Sequence, residues 1–247
     1  MGTLMHYDGA SWMQATSTST KTLYGVWGNG PNDVWAVGEY GTILHFNGTV
    51  WEASDSGTTQ ILYGVWGSGP SDLWAVGFAG AILHYDGSHW QLLDPPLTPN
   101  ALVRVWGSAP NKVWAVGYNG TILNYDGVDW KPDDASGSVT TMNLNGLWGR
   151  SATDIWATGS GTTIIHYNGT WKLDTNVPDS IKSPNATREL NRVWGDSSGH
   201  VWTVGHENTI LQLDPTTQKW DSQPSNIDTT GFSNRLYGVW SSPNGEA

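Results

Sequence analysis

An all-β fold of repeated four-stranded antiparallel sheets is predicted by three observations: the placement of every tryptophan, the turn-bounded β-branched runs between them, and chain ends that match complementary halves of one repeat. All 17 tryptophans fall in three series. The first is Trp27, Trp66, Trp106, Trp148, Trp194 and Trp240, and the second is Trp35, Trp74, Trp114, Trp156 and Trp202. The third is Trp12, Trp51, Trp90, Trp130, Trp171 and Trp220. A tryptophan here is therefore first a core residue of the repeat.

The repeat is cleanest from Leu23 to Trp51, returns from Leu62 to Trp90, and recurs in weaker form from Leu102, Leu144 and Leu190. First-series tryptophans advance by 39, 40, 42, 46 and 46 residues. A period near 40 is that of one four-stranded propeller blade. Within a unit, LYGVW, DVWAVG and TILHF are short β-branched and aromatic runs bounded by Gly, Pro, Asn or Asp, as strands joined by tight turns require. Between the second and third runs lies G-x-x-G (Gly38 to Gly41, Gly77 to Gly80, Gly117 to Gly120), read as glycine supplying positive φ. In the fifth unit Asn208 replaces the last glycine. Between the third and fourth runs lies Asp-Gly or Asn-Gly (Asp8, Asn47, Asp86, Asp126, Asn168), a short-hairpin signal.

The chain opens with the second half of a unit, GTLMHYDGASW, and closes with the first half of one, LYGVWSSPNGEA. Together they predict a composite sixth blade, lacking the segment equivalent to Trp35 through Tyr40, as in a piece cut from a longer chain. The expectation is one six-bladed β-propeller domain over 1–247, with blades at 13–51, 52–90, 91–130, 131–171, 172–220, and 221–247 plus 1–12. An incomplete arc of a larger propeller is the alternative.

Composition narrows the partners. With 22 acidic against 11 basic residues and a net charge of −11, the chain has no basic groove for a phosphate backbone, so nucleic acid is not expected. The absence of cysteine excludes disulfides, thiolate metal sites and cysteine nucleophiles. No apolar run is long enough for a membrane span, and no cofactor is expected. The Asn-x-Ser/Thr sequences at Asn47, Asn119, Asn168 and Asn185 are explained better by turn chemistry than by glycosylation.

One constellation resembles chemistry. Third-strand histidines (His6, His45, His84, His166) accompany an acid just before the second strand (Glu246, Asp33, Asp72, Asp154). Where the histidine is replaced the acid is lost too, Lys112 accompanying Asn124 and His200 accompanying Gln212. The joint pattern predicts hydrogen-bonded pairs that pin neighbouring strands. Metal binding would need three or four converging ligands, and catalysis a nucleophile aligned with one pair; repetition disperses the first, and no residue stands out for the second.

The hairpin Y-D-G-x-x-W (Tyr7 to Trp12, Tyr85 to Trp90, Tyr125 to Trp130) loosely resembles the Asp-box hairpin of sialidase-like BNR propellers, although the residue between Asp and Gly is missing. That resemblance implies a structural hairpin, and a sialidase would need an arginine cluster, whereas the chain has only Arg104, Arg150, Arg188, Arg192 and Arg235. Arg104 and Arg192 share one repeat position on the innermost strand, which would line a channel. A glycoside hydrolase is kept as a minor alternative to a protein without catalysis. The whole chain resembles Trp-rich bacterial tandem-repeat propellers and, more loosely, propeller lectins, but lacks the basic residues that six-bladed fucose lectins use in each blade.

In an up-and-down blade, second-to-third turns and blade connections share one face, and that face is where this sequence varies. Its turn tips carry Glu39-Tyr40, Phe78-Ala79, Tyr118-Asn119, Ser160-Gly161 and His206-Glu207, and its longest connection holds Pro178 and Pro184. Variation on one rim of a rigid scaffold suits recognition. The candidate ligand-binding residues are Glu39, Tyr40, Phe78, Tyr118, Asn119, His206 and Glu207, with Tyr24, Tyr63 and Tyr237 on inner strands. The expected function is an extracellular, cell-surface or periplasmic bacterial recognition or scaffold module for a protein or glycan. A multivalent lectin is the leading alternative.

Overall fold

The computed structural model describes residues 2–17, 19–181, 188–196, 198–225 and 234–240. The first strands form a hairpin, β1 (Leu4–Tyr7) and β2 (Trp12–Ala15), as a two-stranded sheet. Then come β3 (Leu23–Gly30), β4 (Asp33–Gly38), β5 (Ile43–Phe46) and β6 (Trp51–Ser54), followed by β7 (Leu62–Gly69), β8 (Asp72–Gly77), β9 (Ile82–Tyr85) and β10 (Trp90–Leu92). The third set is β11 (Leu102–Ala109), β12 (Lys112–Gly117), β13 (Ile122–Tyr125) and β14 (Trp130–Pro132). The fourth is β15 (Leu144–Ser151), β16 (Asp154–Gly159), β17 (Ile164–Tyr167) and β18 (Trp171–Leu173), and the fifth is β19 (Leu190–Gly195), β20 (Val201–Gly205), β21 (Ile210–Leu213) and β22 (Trp220–Ser222). Each set is one four-stranded sheet in chain order, the meander expected from its short turns. The chain falls into two compact units, residues 1–113 and 114–247.

In residues 1–113, one face of the second sheet meets the first sheet. Leu62, Val65, Leu73, Ala75 and Leu83 share a buried cluster with Trp35, Val37, Ile43 and Trp90. In residues 114–247 the same arrangement joins Trp148, Trp156 and Ile164 to Leu190, Val193, Val201, Leu211 and Trp220, and the connection adds Val177 and Ile181. Alternation along each strand thus serves two cores, one on each face of the sheet. The register aligns the series, with Trp27 opposite Trp35, Trp66 opposite Trp74, and Trp148 opposite Trp156.

Four expectations need correction. The first glycine of G-x-x-G is extended (φ −168° at Gly38, −162° at Gly77); it is needed because a Cβ would lie 2.1 Å from the carbonyl oxygen of Thr22 or Ile61. Positive φ falls instead on the last glycine and on the residue before it: Tyr40, Ala79 and Asn119 have φ of 54°, 54° and 55°. The Asp-Gly turns are four-residue loops, Tyr7 facing Trp12 across residues 8–11, closed by the side chain. Asp8 Oδ1 accepts the N–H groups of Ala10 and Ser11, both at 2.8 Å, and Asp86 and Asp126 act likewise. Nor is every tryptophan core: Trp12 is 66% exposed and Trp240 62%. Finally, residues 236–240 of the composite blade are in no strand, and 241–247, with Glu246, lie outside the described residues, as do Pro184 and Asn185.

The side-chain-closed loops carry a pH signature. The His89 N–H, then the Ser88 hydroxyl and N–H, hold the Asp86 carboxyl far below the usual carboxylate range; Lys131, then the N–H groups of Asp129 and Val128, do so for Asp126. Since the folded value lies below the unfolded one, the stabilisation is complete above about pH 4 and is lost as pH falls through the folded values. An Asp86→Ala, Asp126→Ala double variant should show a flatter fall of melting temperature between about pH 4 and pH 2 than the parent.

Candidate functional site

The best-defined candidate surface is built by the turn between β4 and β5 in residues 1–113. Main-chain bonds lock it: Gly38 N–H donates to Thr42, Glu39 N–H to Thr22, and Thr42 N–H to Glu39, at 2.9 to 3.0 Å. These bonds fix Tyr40 in the left-handed region with its side chain 68% exposed. A bulky residue there costs about 1 kcal/mol or more, and such strain clusters at functional sites. Lys21 Nζ lies 4.5 Å from the Tyr40 ring centroid, a cation–π distance.

Glu39 ties this tip to the inner strands. Its carboxylate accepts the Thr22 N–H at 3.0 Å and the Tyr24 hydroxyl at 3.5 Å. The Thr22 N–H, more than any other cause, lowers the Glu39 carboxyl; burial, then the Glu39 charge, raises the Tyr24 phenol. Tyr24 and Tyr63 sit at register shifts between Leu23 and Gly25 and between Leu62 and Gly64. Such bulges re-aim a side chain, and here the two rings meet at 5.5 Å. Beside Tyr40 opens a cavity of about 360 Å³ lined by Lys21, Thr42, Asp55, Ser56 and Thr58.

The structure thus links Glu39 to Tyr24 and Tyr24 to Tyr63, while Tyr40, next to Glu39 on the turn, faces Lys21 and the cavity. Phe78 is exposed on its own turn, where it holds the position of Glu39, and Ala79 that of Tyr40. Among the described residues no ring contact joins Phe78 to Tyr40. In residues 114–247, Tyr118 is exposed and the Asn119 N–H donates to Asn143 Oδ1 at 3.0 Å. His206 Nε2 lies 3.3 Å from the Glu189 carboxylate, and Glu207 forms an ion pair with Arg188. Tyr237 is exposed, one residue after Leu236, whose carbonyl accepts from Asn191. Lys21, Asp55, Ser56 and Thr58 were not singled out by sequence reasoning; the signal was their place in a variable connection.

The histidine–acid pairs are clamps. His45, His84 and His166 reach Asp33, Asp72 and Asp154 at 2.7 to 2.8 Å. Each imidazole also stacks on a second-strand indole, at 4.0 Å on Trp35, 4.2 Å on Trp74 and 4.4 Å on Trp156. The His6–Glu246 pair lies outside the described residues. Asn124 turns instead to Asp133, and His200 to Asp196. Asp72→Ala should lower stability by about 1–2 kcal/mol in urea unfolding, because His84 loses its partner. Arg104 donates to the carbonyls of Val103 and Tyr63. Burial pushes Arg192 down to about 10, leaving it cationic at neutral pH.

No protein-family model and no curated protein matches the chain. Among solved structures it is similar to "YCF48 bound to D1 peptide", with 19% identity and a TM-score of 0.64 over 87% of this chain and 70% of that one. It is also similar to virginiamycin B lyase from Staphylococcus aureus, with 13% identity and a TM-score of 0.73 over 92% and 78%. The fold is that of a β-propeller. Five four-stranded sheets and one two-stranded sheet fit six blades. At these identities the likeness carries fold alone.

Proposed function

We propose that this propeller is a non-catalytic recognition module that binds a polypeptide segment on the loop rim of residues 1–113. Tyr24, Tyr40 and Tyr63 form the apolar contact, and Glu39, Lys21 and Asp55 bind main-chain and charged groups of the partner. The observation that carries this is the exposed Tyr40, held in a left-handed turn next to Glu39, whose carboxylate accepts the Tyr24 hydroxyl. Tyrosine offers large contact area with few rotors to freeze and is enriched at interface hot spots. A propeller of similar fold has been solved with a peptide bound, which supports the reading. A surface with few charges, 13% of residues, and abundant Gly, Ser, Thr and Asn supports an extracellular, cell-surface or periplasmic setting in a bacterium.

The test is selection from a displayed random-peptide library on the parent protein, with Tyr40→Asn as counter-target. Enrichment of peptides that bind the parent at least tenfold better supports the reading; no enrichment, or equal binding to both, sinks it. The hydroxyl-lined cavity beside Tyr40 favours one second reading, a lectin site. A glycan array bound by the parent and not by Tyr40→Asn would replace the peptide with a sugar.

A further inference from the structure

Three stretches of identical sequence, Asn-Gly-Thr at residues 47–49, 119–121 and 168–170, meet three different environments. At the first, the hairpin from β5 to β6 has four loop residues, Phe46 facing Trp51. Asn47 Oδ1 accepts the N–H groups of Thr49 and Val50 there, at 3.0 and 3.1 Å. A Cβ on Gly48 would lie 2.8 Å from the Asn32 side chain, so this loop tip is packed. At the second, the Gly120 N–H donates to the Met142 carbonyl at 2.9 Å.

The third is open. The hairpin from β17 to β18 is one residue shorter, Tyr167 facing Trp171, and the residue it lacks is the counterpart of Val50, one of the two donors that hold Asn47. Among the described residues no hydrogen bond holds the Asn168 side chain or the Gly169 N–H. Asn168 is exposed, and a Cβ on Gly169 would meet nothing within 4 Å. Asn168 and Lys172 take the repeat positions of Asp126 and Lys131, which pair at 2.7 Å. The two line one cavity of about 220 Å³ with His166 and Asp174, and among the described residues Lys172 has no ion pair.

We propose that Asn168 is a self-modification site, at which a neutral amide becomes a carboxylate. The Gly169 main-chain nitrogen bonds to Asn168 Cγ, and its proton leaves with the side-chain NH2 group as ammonia. Water then adds across one of the two C–N bonds of the cyclic imide, leaving aspartate or isoaspartate. Attack needs the side chain and the Gly169 peptide plane to rotate toward each other, a motion that glycine permits and that the shorter loop leaves unopposed. Asn47 is kept from near-attack geometry by its two hydrogen bonds, and Gly120 by the bond its nitrogen already makes. The product fits its place, since Asp8, Asp86 and Asp126 hold a carboxylate at the same repeat position. The new charge meets Lys172 as Asp126 meets Lys131.

The test is peptide mapping by mass spectrometry, with an isoaspartyl methyltransferase assay, on the whole protein incubated at mildly alkaline pH. Conversion at Asn168 should run at least about tenfold faster than at Asn47 and Asn119. The three rates should converge in urea-unfolded protein, where the shared Asn-Gly-Thr sequence alone sets them. Inserting a valine between Thr170 and Trp171 recreates the sequence of residues 47–51 and should slow conversion at Asn168 to the rate of Asn47. No conversion at Asn168, similar rates at the three sites in folded protein, or a lead of Asn168 that persists in urea overturns the proposal. So does a folded insertion variant in which Asn168 converts as fast as in the parent.

Discussion

Gly77→Ala should destabilise residues 1–113 by about 3 kcal/mol or more, at the upper end of single-substitution effects. The cause is not backbone strain, because φ at Gly77 is extended and open to any residue. The added methyl would sit 2.1 Å from the Ile61 carbonyl oxygen and 3.1 Å from the Leu62 Cα. Both neighbours are backbone, and the Ile61 carbonyl is already held at 2.8 Å by the Phe78 N–H, so neither can move without opening the turn. Gly69→Ala is the control: a methyl there meets nothing within 4 Å, and a change within about 0.5 kcal/mol is expected. Urea midpoints of the two variants decide it, and equal midpoints would refute the close-approach account.

Tyr40→Asn should move stability and binding in opposite directions. Asparagine tolerates the left-handed conformation better than tyrosine, so unfolding free energy should rise by up to about 1 kcal/mol. Loss of a hot-spot tyrosine should weaken a rim-bound peptide by about 2 kcal/mol, near thirtyfold. Ala79→Gly, at the same turn position one sheet on, should give the gain in stability with no change in binding. If Tyr40→Asn lowers stability instead, Tyr40 is a packing residue and the rim reading loses its main support.

Strand content, turn positions and the histidine–acid clamps were legible because each is written in residues whose chemistry has one purpose at that spacing. His84 and Asp72, twelve residues apart, meet because the hairpin between them reverses the chain. The roles of glycines were less legible: Gly38 and Gly41 look alike in sequence and a Cβ on either would meet a carbonyl oxygen, at 2.1 Å and 2.0 Å, yet only Gly41 also has positive φ. The bulges at Tyr24 and Tyr63 left no local signature, since an extra residue in a strand changes no periodicity that a five-residue run can display. Of the site, the tyrosines and Glu39 could be found from rim variation. Lys21 and Asp55 could not, because their approach to Tyr40 depends on how connections fold back over the turn. The exposure of Trp12 was hidden for another reason, since repeat position names the series a residue belongs to but not how far the described strands cover it.

The turns at 39–41, 78–80 and 118–120 close through main-chain atoms in the same pattern while their side chains range over Glu, Phe, Tyr, Ala and Asn. Geometry and identity are thus uncoupled at these tips, much as they are in the hypervariable loops of an antibody. Positions 39, 40, 78, 79, 118 and 119 could be randomised together, with Gly41, Gly80 and Gly120 kept, to draw new binders from a single framework.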